Sequence, residues 1–345
     1  MQVGLVTGQR LVQLREFPEP IATAGRSVVQ ISFCGICGTD VHAYLSGEPY
    51  NPAICGHEWV GHVSANGTGV QHVKEGDRVG VGVAAACGHC ATCVAGDAAH
   101  CETVLFGMIG VGPMAAPHGG FASAISIDAS RLFPVVASLS DADAAILEPL
   151  TIAAHAVRRT PIRMGDLVVV IGGGPIGQLV LQCARAAGAG TVVVIEPQPA
   201  RRKLASTLGA HFAIDPRETD PLELLRDQLR RPGADVVFEC AGVPQTVQQA
   251  VSLTRRGGVV SLVGVPSAPS QVNIAEWLMK EIRLVTSLGY ERYEFDVAQA
   301  MLADGRVQVR ALHTATVGLS GLAGAFDRLA SAPEEVKILV DPRIA

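Results

Sequence analysis

Aromatic side chains are scarce in this chain: Phe, Tyr and Trp make up 4% of 345 residues, with only two tryptophans. Hydrophobic residues still reach 48%, so Val, Ala, Leu and Ile must fill the cores. Charge is thin at 17%, and there is no basic surplus: 27 Lys and Arg face 32 Asp and Glu, a net −5. Nucleic-acid and membrane-surface partners need a basic face, so neither is expected. No run of about 18 apolar residues suggests a membrane span. The opening MQVGLVTGQR lacks the charged-then-apolar order of a secretory leader. The expected compartment is the cytoplasm, where thiols stay reduced.

Against these absences, the cysteines are conspicuous. Four of the nine stand in CGHCATCVAGDAAHC, at Cys87, Cys90, Cys93 and Cys101. Two CxxC steps and a seven-residue gap bring four thiolates within reach of one tetrahedral zinc. The alternative, two disulfides, needs an oxidising compartment. Cys34, Cys55, Cys183 and Cys240 read as isolated core residues. The ninth, Cys37, opens a second pattern. Cys37-Gly38-Thr39-Asp40-Val41-His42 follows an apolar segment, Gly56-His57-Glu58 comes about 20 residues later, and Leu147-Glu148-Pro149-Leu150 lies far downstream. Cys, His and carboxylate are zinc ligands, and a catalytic zinc keeps one position open.

The length predicts two domains. Residues 1–150 read as short strands between Gly, Pro and Asn turns, among them Val28–Cys34, Val60–Ala65 and Asp77–Val83. Six apolar runs follow from about residue 165: Leu167–Ile171, Thr191–Ile195, Phe212–Ile214, Asp235–Phe238, Val259–Val263 and Arg283–Thr286. Helix-length segments such as Pro199–Leu208 and Pro221–Arg231 separate them, which predicts a doubly wound parallel sheet. The tail after about 290 loses that rhythm and ends in one more strand, Val336–Val340.

Directly after Leu167–Ile171 comes Gly172-Gly173-Gly174-Pro175-Ile176-Gly177. Gly172, Gly174 and Gly177 satisfy GxGxxG: a tight turn, a close backbone approach to a pyrophosphate, and close packing of helix on strand. The helix N-terminus then offers N–H groups to the phosphates. The next strand ends at Glu196, placed to accept from both adenosine ribose hydroxyls and to repel a 2′-phosphate, so NAD is favoured over NADP. Arg201 and Arg202 stand close enough to neutralise a phosphate. Pro175, Ile176, Val263 and Val265 complete the expected cofactor contacts.

With these motifs in this order, the chain resembles the zinc-dependent medium-chain dehydrogenases over essentially its full length, in the pattern of the sorbitol, butanediol and threonine dehydrogenase branch. The resemblance implies an α/β protein: a GroES-like β-rich catalytic domain, 1–150 completed by 290–345, and a Rossmann NAD-binding domain, 151–289. It implies one catalytic and one structural zinc per chain. The catalytic ion would sit on Cys37, His57 and a carboxylate, for which Glu58 and Glu148 are both candidates. Asp40 is expected to hold the His57 tautomer, and His155 to be a packing residue. The implied reaction moves a hydride between a secondary alcohol, diol or polyol and NAD. Metal binding acidifies the substrate hydroxyl, and its proton leaves by way of Thr39 and His42. A homodimer or homotetramer is expected. Where the family often has GGFAEY, this chain has Gly119-Gly120-Phe121-Ala122-Ser123-Ala124. The segment Met108–His118 offers no polar fingerprint for a particular substrate. Two other readings compete: an NADPH-dependent aldehyde or ketone reductase on the same scaffold, and a non-catalytic zinc-binding interaction protein.

Overall fold

The computed structural model describes residues 1–48, 51–108, 115–332 and 334–344. Most of the Met108–His118 segment therefore lies outside the described residues. The chain forms two compact units. Met1–Glu148, Tyr290–Ala303 and His313–Ala345 make the first, Pro149–Gly289 and Asp304–Leu312 the second. The sequence division assigned all of 290–345 to the first unit. Residues 304–312 instead return to the second, where Gln182 fastens them: its Nε2 donates to the Gln308 carbonyl (3.1 Å) and its Oε1 accepts from the Gln308 N–H (2.7 Å).

The first unit is mostly antiparallel sheet. Its strands are β1 (Gln2–Gly8), β2 (Leu11–Glu16), β3 (Arg26–Gly35), β4 (Glu58–Asn66), β5 (Arg78–Val81), β6 (Ala124–Asp128) and β7 (Leu132–Pro134). The 10-residue β3 is buried over most of its length, with Gln30 its one exposed residue. β3 pairs antiparallel with β4 and β6, and at its C-terminal end with a strand from the chain's end (Leu339↔Gly35). That pairing delivers Gly35 and the following Cys37 to the rim of the sheet, opposite Glu58 at the start of β4 (Gly35↔Glu58). Val29, Ile31, Trp59, Phe121, Phe326 and Ile338 fill the core behind it.

The second unit contains β8 (Leu167–Ile171), β9 (Thr191–Ile195), β10 (Phe212–Ile214), β11 (Ala234–Glu239), β12 (Thr254–Leu262) and β13 (Arg283–Thr286). They form one parallel sheet in the order β10-β9-β8-β11-β12-β13. Every residue of β8 and β11 is buried, as expected for strands covered on both faces. Strand order reverses between β8 and β11, the place where open α/β sheets bind ligands at their carboxyl ends. The helix expected over Pro221–Arg231 is shorter, an α-turn at Pro221–Glu223 running into a π-turn at Leu224–Gln228. The last strands, β14 (His313–Val317) and β15 (Lys337–Val340), belong to the first unit and are parallel to each other.

At the opposite edge of the parallel sheet, Asp235 locks strand entry. Its carboxylate accepts from the Leu167 N–H (2.8 Å), Arg231 Nη2 (2.6 Å) and Arg255 Nε (2.6 Å). Burial alone would push this carboxyl up, but Arg255, the Leu167 N–H and Arg231 together hold it below its ordinary value. A carboxyl depressed in the folded state stabilises the fold above its unfolded pKa of about 3.9, and that contribution is lost as pH falls towards the folded value. Asp235→Asn should therefore lower stability at pH 7 by about 1–3 kcal/mol, read by chemical denaturation. It should also flatten the loss of stability below about pH 4; an unchanged acid limb would contradict the assignment.

Candidate active site and dinucleotide site

Cys37 precedes the helix Gly38–Ser46 and caps it. The Asp40 side chain accepts from the Cys37 N–H at 2.9 Å and from the Gly56 N–H at 3.3 Å, tying the two motif segments together. Cys37, His57 and Glu58 present one ligand atom each, all within 4.8 Å of one another. Ligands about 2.0–2.3 Å from a tetrahedral zinc stand roughly 3.3–3.8 Å apart, so a small inward adjustment suffices.

His57 Nδ1 lies 3.0 Å from the Ile54 carbonyl, which sets Nδ1 as the protonated nitrogen and leaves Nε2 for a metal. Asp40 stands 3.9 Å from Nδ1, beyond a hydrogen bond. The tautomer is thus held by a backbone carbonyl, and Asp40 braces the loop instead. Burial disfavours a proton on His57, yet Cys37, Asp40 and Glu148 outweigh it and raise its pKa well above the ordinary value. So much negative charge in a buried place suits a divalent cation. Among the described residues, Glu148 is not in this close set. It sits in the first turn of the helix Leu147–Arg159. Burial, opposed by His57 and reinforced by Glu58, pushes its carboxyl up to about 7. The Thr39 hydroxyl accepts from Cys37 Sγ at 3.7 Å, and His42, three residues on in the same helix, is exposed.

Two neighbours escaped the sequence reading. Lys337, opening β15, is buried with its ammonium 2.5 Å from Glu58 Oε2 and 3.0 Å from the Ile36 carbonyl. Burial lowers the pKa of this amine, but Glu58 and Cys37 more than restore it. The pair spans 279 residues of sequence. The only sequence signal was a single Lys at the head of an apolar strand. Tyr290 is the second: its hydroxyl is buried without a well-formed hydrogen bond among the described residues, and burial together with the charge of Glu148 pushes its pKa well up.

The four-cysteine loop brings Cys87, Cys90, Cys93 and Cys101 together, one sulfur each, within 4.8 Å. Backbone N–H groups of Cys87 and Cys90 point at the sulfurs of Cys101 and Cys87, both at 3.3 Å. The Cys90 and Cys101 sulfurs are 3.9 Å apart, far beyond the ~2.05 Å of a disulfide. Hydrogen bonding from Thr92 leads the effects that hold the Cys90 thiol down at about 5. The same cluster pushes the Cys93 thiol up to about 12, burial leading, so it is the four converging sulfurs that fit a zinc ion.

In the second unit, the Gly172–Gly177 loop follows β8 and the helix Pro175–Ala186 begins inside it. Gly172 has φ +97°, and a Cβ on Gly177 would lie 1.8 Å from the Gly172 carbonyl oxygen. Neither position admits another residue. Gly174 is the N-cap of the helix, and a Cβ on it would meet nothing within 4 Å, leaving open space in front of the helix N-terminus. Glu196, buried just beyond β9, accepts from the Gly173 N–H (Oε2, 2.7 Å) and the Gln198 N–H (Oε1, 2.8 Å). Each oxygen keeps a further lone pair for a ligand. Gln178 Nε2 ties the Gly173 carbonyl to that of Arg201, both at 2.9 Å. Arg202 is committed to protein acceptors, the carbonyls of Glu196 and Pro197 and the Asp215 carboxylate. Val263 donates its N–H to the Glu239 carbonyl (2.9 Å) at the sheet's carboxyl edge, whereas Val265 is 79% exposed. His155 is buried in its helix.

Residues 23–137 match the alcohol dehydrogenase GroES-like domain, and residues 175–304 match the zinc-binding dehydrogenase domain. The chain belongs to the zinc-dependent medium-chain alcohol dehydrogenase family. Among family members, it is 32% identical to 2-dehydro-3-deoxy-L-galactonate 5-dehydrogenase of Pseudoalteromonas atlantica, over 92% of each chain. To sorbitol dehydrogenase of Bacillus subtilis it is 31% identical, over 99% of this chain and 97% of that one. A crystal structure of a zinc-binding dehydrogenase from Sinorhizobium meliloti, bound to NADP, superposes with a TM-score of 0.88 at 30% identity over 99% of both chains. No helix among the described residues of this dehydrogenase is long and apolar enough to cross a membrane.

Removing one partner of a buried ion pair strands the other charge. Lys337→Met should destabilise the metal-free protein by about 3–5 kcal/mol, and Lys337→Met with Glu58→Leu should recover most of that. Equal losses in the single and double variants, measured by denaturant titration, would show that the pair carries no coupling.

Proposed function

We propose that this chain is an NAD-dependent oxidoreductase acting on a secondary hydroxyl of a small diol or polyol. The observation that carries the reading is the convergence of Cys37, His57 and Glu58 within 4.8 Å, in a chain that also holds a glycine loop braced by Glu196. When bound, zinc supplies Lewis acidity that lowers the pKa of a substrate hydroxyl, and NAD supplies a hydride acceptor.

Cys37 and His57 are the fixed ligands, with a carboxylate as the third. Glu58 is nearer them than Glu148, and Lys337 holds one of its oxygens. Thr39 would accept the proton of the substrate hydroxyl while giving up its own, which would pass by way of the cofactor's ribose hydroxyl to exposed His42, on the same face of the helix, and so to solvent. The buried hydroxyl of Tyr290, without a well-formed partner among the described residues, would pair with a second hydroxyl on a polyhydroxylated substrate. Gly172, Gly174 and Gly177 admit the pyrophosphate, with Pro175 and Ile176 at the helix start. Glu196 accepts from the adenosine ribose, and Arg201 and Val263 line the site. Val265, on the turn after β12, would reach the cofactor only at its edge.

The polyol class is supported by the relatives named for sorbitol and galactonate chemistry. One observation favours the other dinucleotide, since the Sinorhizobium meliloti structure is bound to NADP; the buried carboxylate of Glu196 supports NAD here. Self-association is supported by edge strand β13 and its neighbouring helix, which leave Leu284, Ile274, Leu278 and Met279 exposed. A reducing compartment such as the cytoplasm suits nine free cysteines, four of them gathered for a metal.

A panel of diols, polyols, amino alcohols and cyclitols, scored by NADH appearance, tests the reaction class; no turnover on any of them would overturn it. Metal analysis should find two zinc ions per chain, one remaining in Cys37→Ala. Cys90→Ser should lower thermal stability, because structural zinc binding is coupled to folding. For the relay, Thr39→Val should cost about 10²–10⁴ in kcat. His42→Ala should slow oxidation most at and below neutral pH, with partial rescue by imidazole buffer. Losses under about threefold at both positions would remove the relay.

A further inference from the structure

Behind Glu196 lies a compact set of charges that the dinucleotide reading does not use. Asp215 follows β10, and its side chain is 3% exposed. Arg202 Nη1 donates to Asp215 Oδ2 at 3.0 Å. Arg217 grips the same carboxylate with two bonds, Nε to Oδ1 at 2.8 Å and Nη2 to Oδ2 at 2.6 Å. Both guanidiniums also converge on the Pro197 carbonyl, at 2.7 and 2.5 Å. Pro197 follows Glu196 directly, so the two cations flank the segment that carries the ribose acceptor.

We infer that Asp215 is a specificity-determining residue: by clamping Arg202 and Arg217 it withholds both cations from the 2′-phosphate of NADP. This rests on the dinucleotide reading of the glycine loop and Glu196 given above.

A phosphomonoester carries about −1.5 to −2 charge at pH 7 and is bound most tightly by guanidiniums with donors to spare. Asp215 takes up donors of both guanidiniums, and with Glu196 as the second carboxylate the four groups cancel, so the pocket offers the phosphate no net attraction. Arg202 is held on three sides by acceptors and is 18% exposed. Arg217 differs. Its side chain is 65% exposed, so once released from Asp215 it has solvent room in which to turn towards a phosphate. Hydrogen bonding to Arg217 holds the Asp215 carboxyl well below the usual carboxylate range, so the clamp stays charged throughout the working pH range. Cofactor choice on this account does not lie in Glu196 alone. It also depends on a residue that need not touch the dinucleotide.

The test is fluorescence titration of the full-length protein with NADH and with NADPH. Asp215→Asn keeps the shape and removes the charge. It should tighten the NADPH Kd by about tenfold or more and leave the NADH Kd within about threefold. The gain should shrink with added salt, as expected for an exposed charge. It should also disappear in Asp215→Asn with Arg217→Ala. Arg217→Ala alone, in which the fold keeps Arg202 on Asp215, should leave NADPH binding as weak as in the wild type. Circular dichroism and the Tm of each variant separate loss of fold from loss of binding, and the Arg217→Ala result stands even if Asp215→Asn does not fold. An unchanged NADPH Kd in folded Asp215→Asn, or a gain that survives removal of Arg217, overturns the clamp. So does a wild type that binds both dinucleotides equally. A wild type that binds neither overturns the dinucleotide reading, and the clamp falls with it.

Discussion

The first unit depends on one buried contact between an ammonium and a carboxylate. Glu58 and Lys337 come from strands 279 residues apart, and neither charge could remain in that interior without the other. The pair sits beside Cys37 and His57, so the same contact that joins the late strand to the early ones also fixes a carboxylate next to that thiol and imidazole. Two hydrophobic residues of similar volume could hold the strands together as well. They could not present an oxygen beside a thiolate and an imidazole. If the proposed site is right, the charge serves that site, and the stability of the unit is tied to it.

A similar economy governs the second unit. Glu196 fixes the glycine loop through the Gly173 N–H while keeping lone pairs free, and Asp215 fixes the loop behind it through two arginines. In both places a carboxylate that first satisfies the protein's own donors is left in a defined orientation for something else. Preorganisation of this kind means that binding need not order the loop.

Much of the site was legible in the sequence because short motifs carry their own geometry. Gly172 and Gly177 tolerate no side chain, Cys87 to Cys101 bring four sulfurs together, and CGTDVH and GHE fall on the ends of β3 and β4. The six parallel strands were readable because apolar β-branched runs such as Leu167–Ile171 are buried on both faces. What escaped is what depends on long-range pairing. Lys337 reaches Glu58 only through the β15–β3 register. The Tyr290 hydroxyl is buried by packing that no local pattern encodes. The resemblance made Asp40 a partner for His57, yet the Ile54 carbonyl lies nearer to Nδ1. Arg202 looked available until β10 placed Asp215 beside it.

The threading of the chain has one more consequence. The sheet of the first unit needs β15, so it cannot be completed until the last few residues exist. All six strands of the parallel sheet lie before residue 287 and can assemble earlier, save for the returning segment 304–312. On a ribosome adding residues from the N-terminus, the half made first is the half that closes last. During that interval the cysteines of 87–101 are already synthesised while the sheet around them is still open. A metal ion taken up by that loop would be a staple that needs no partner from downstream.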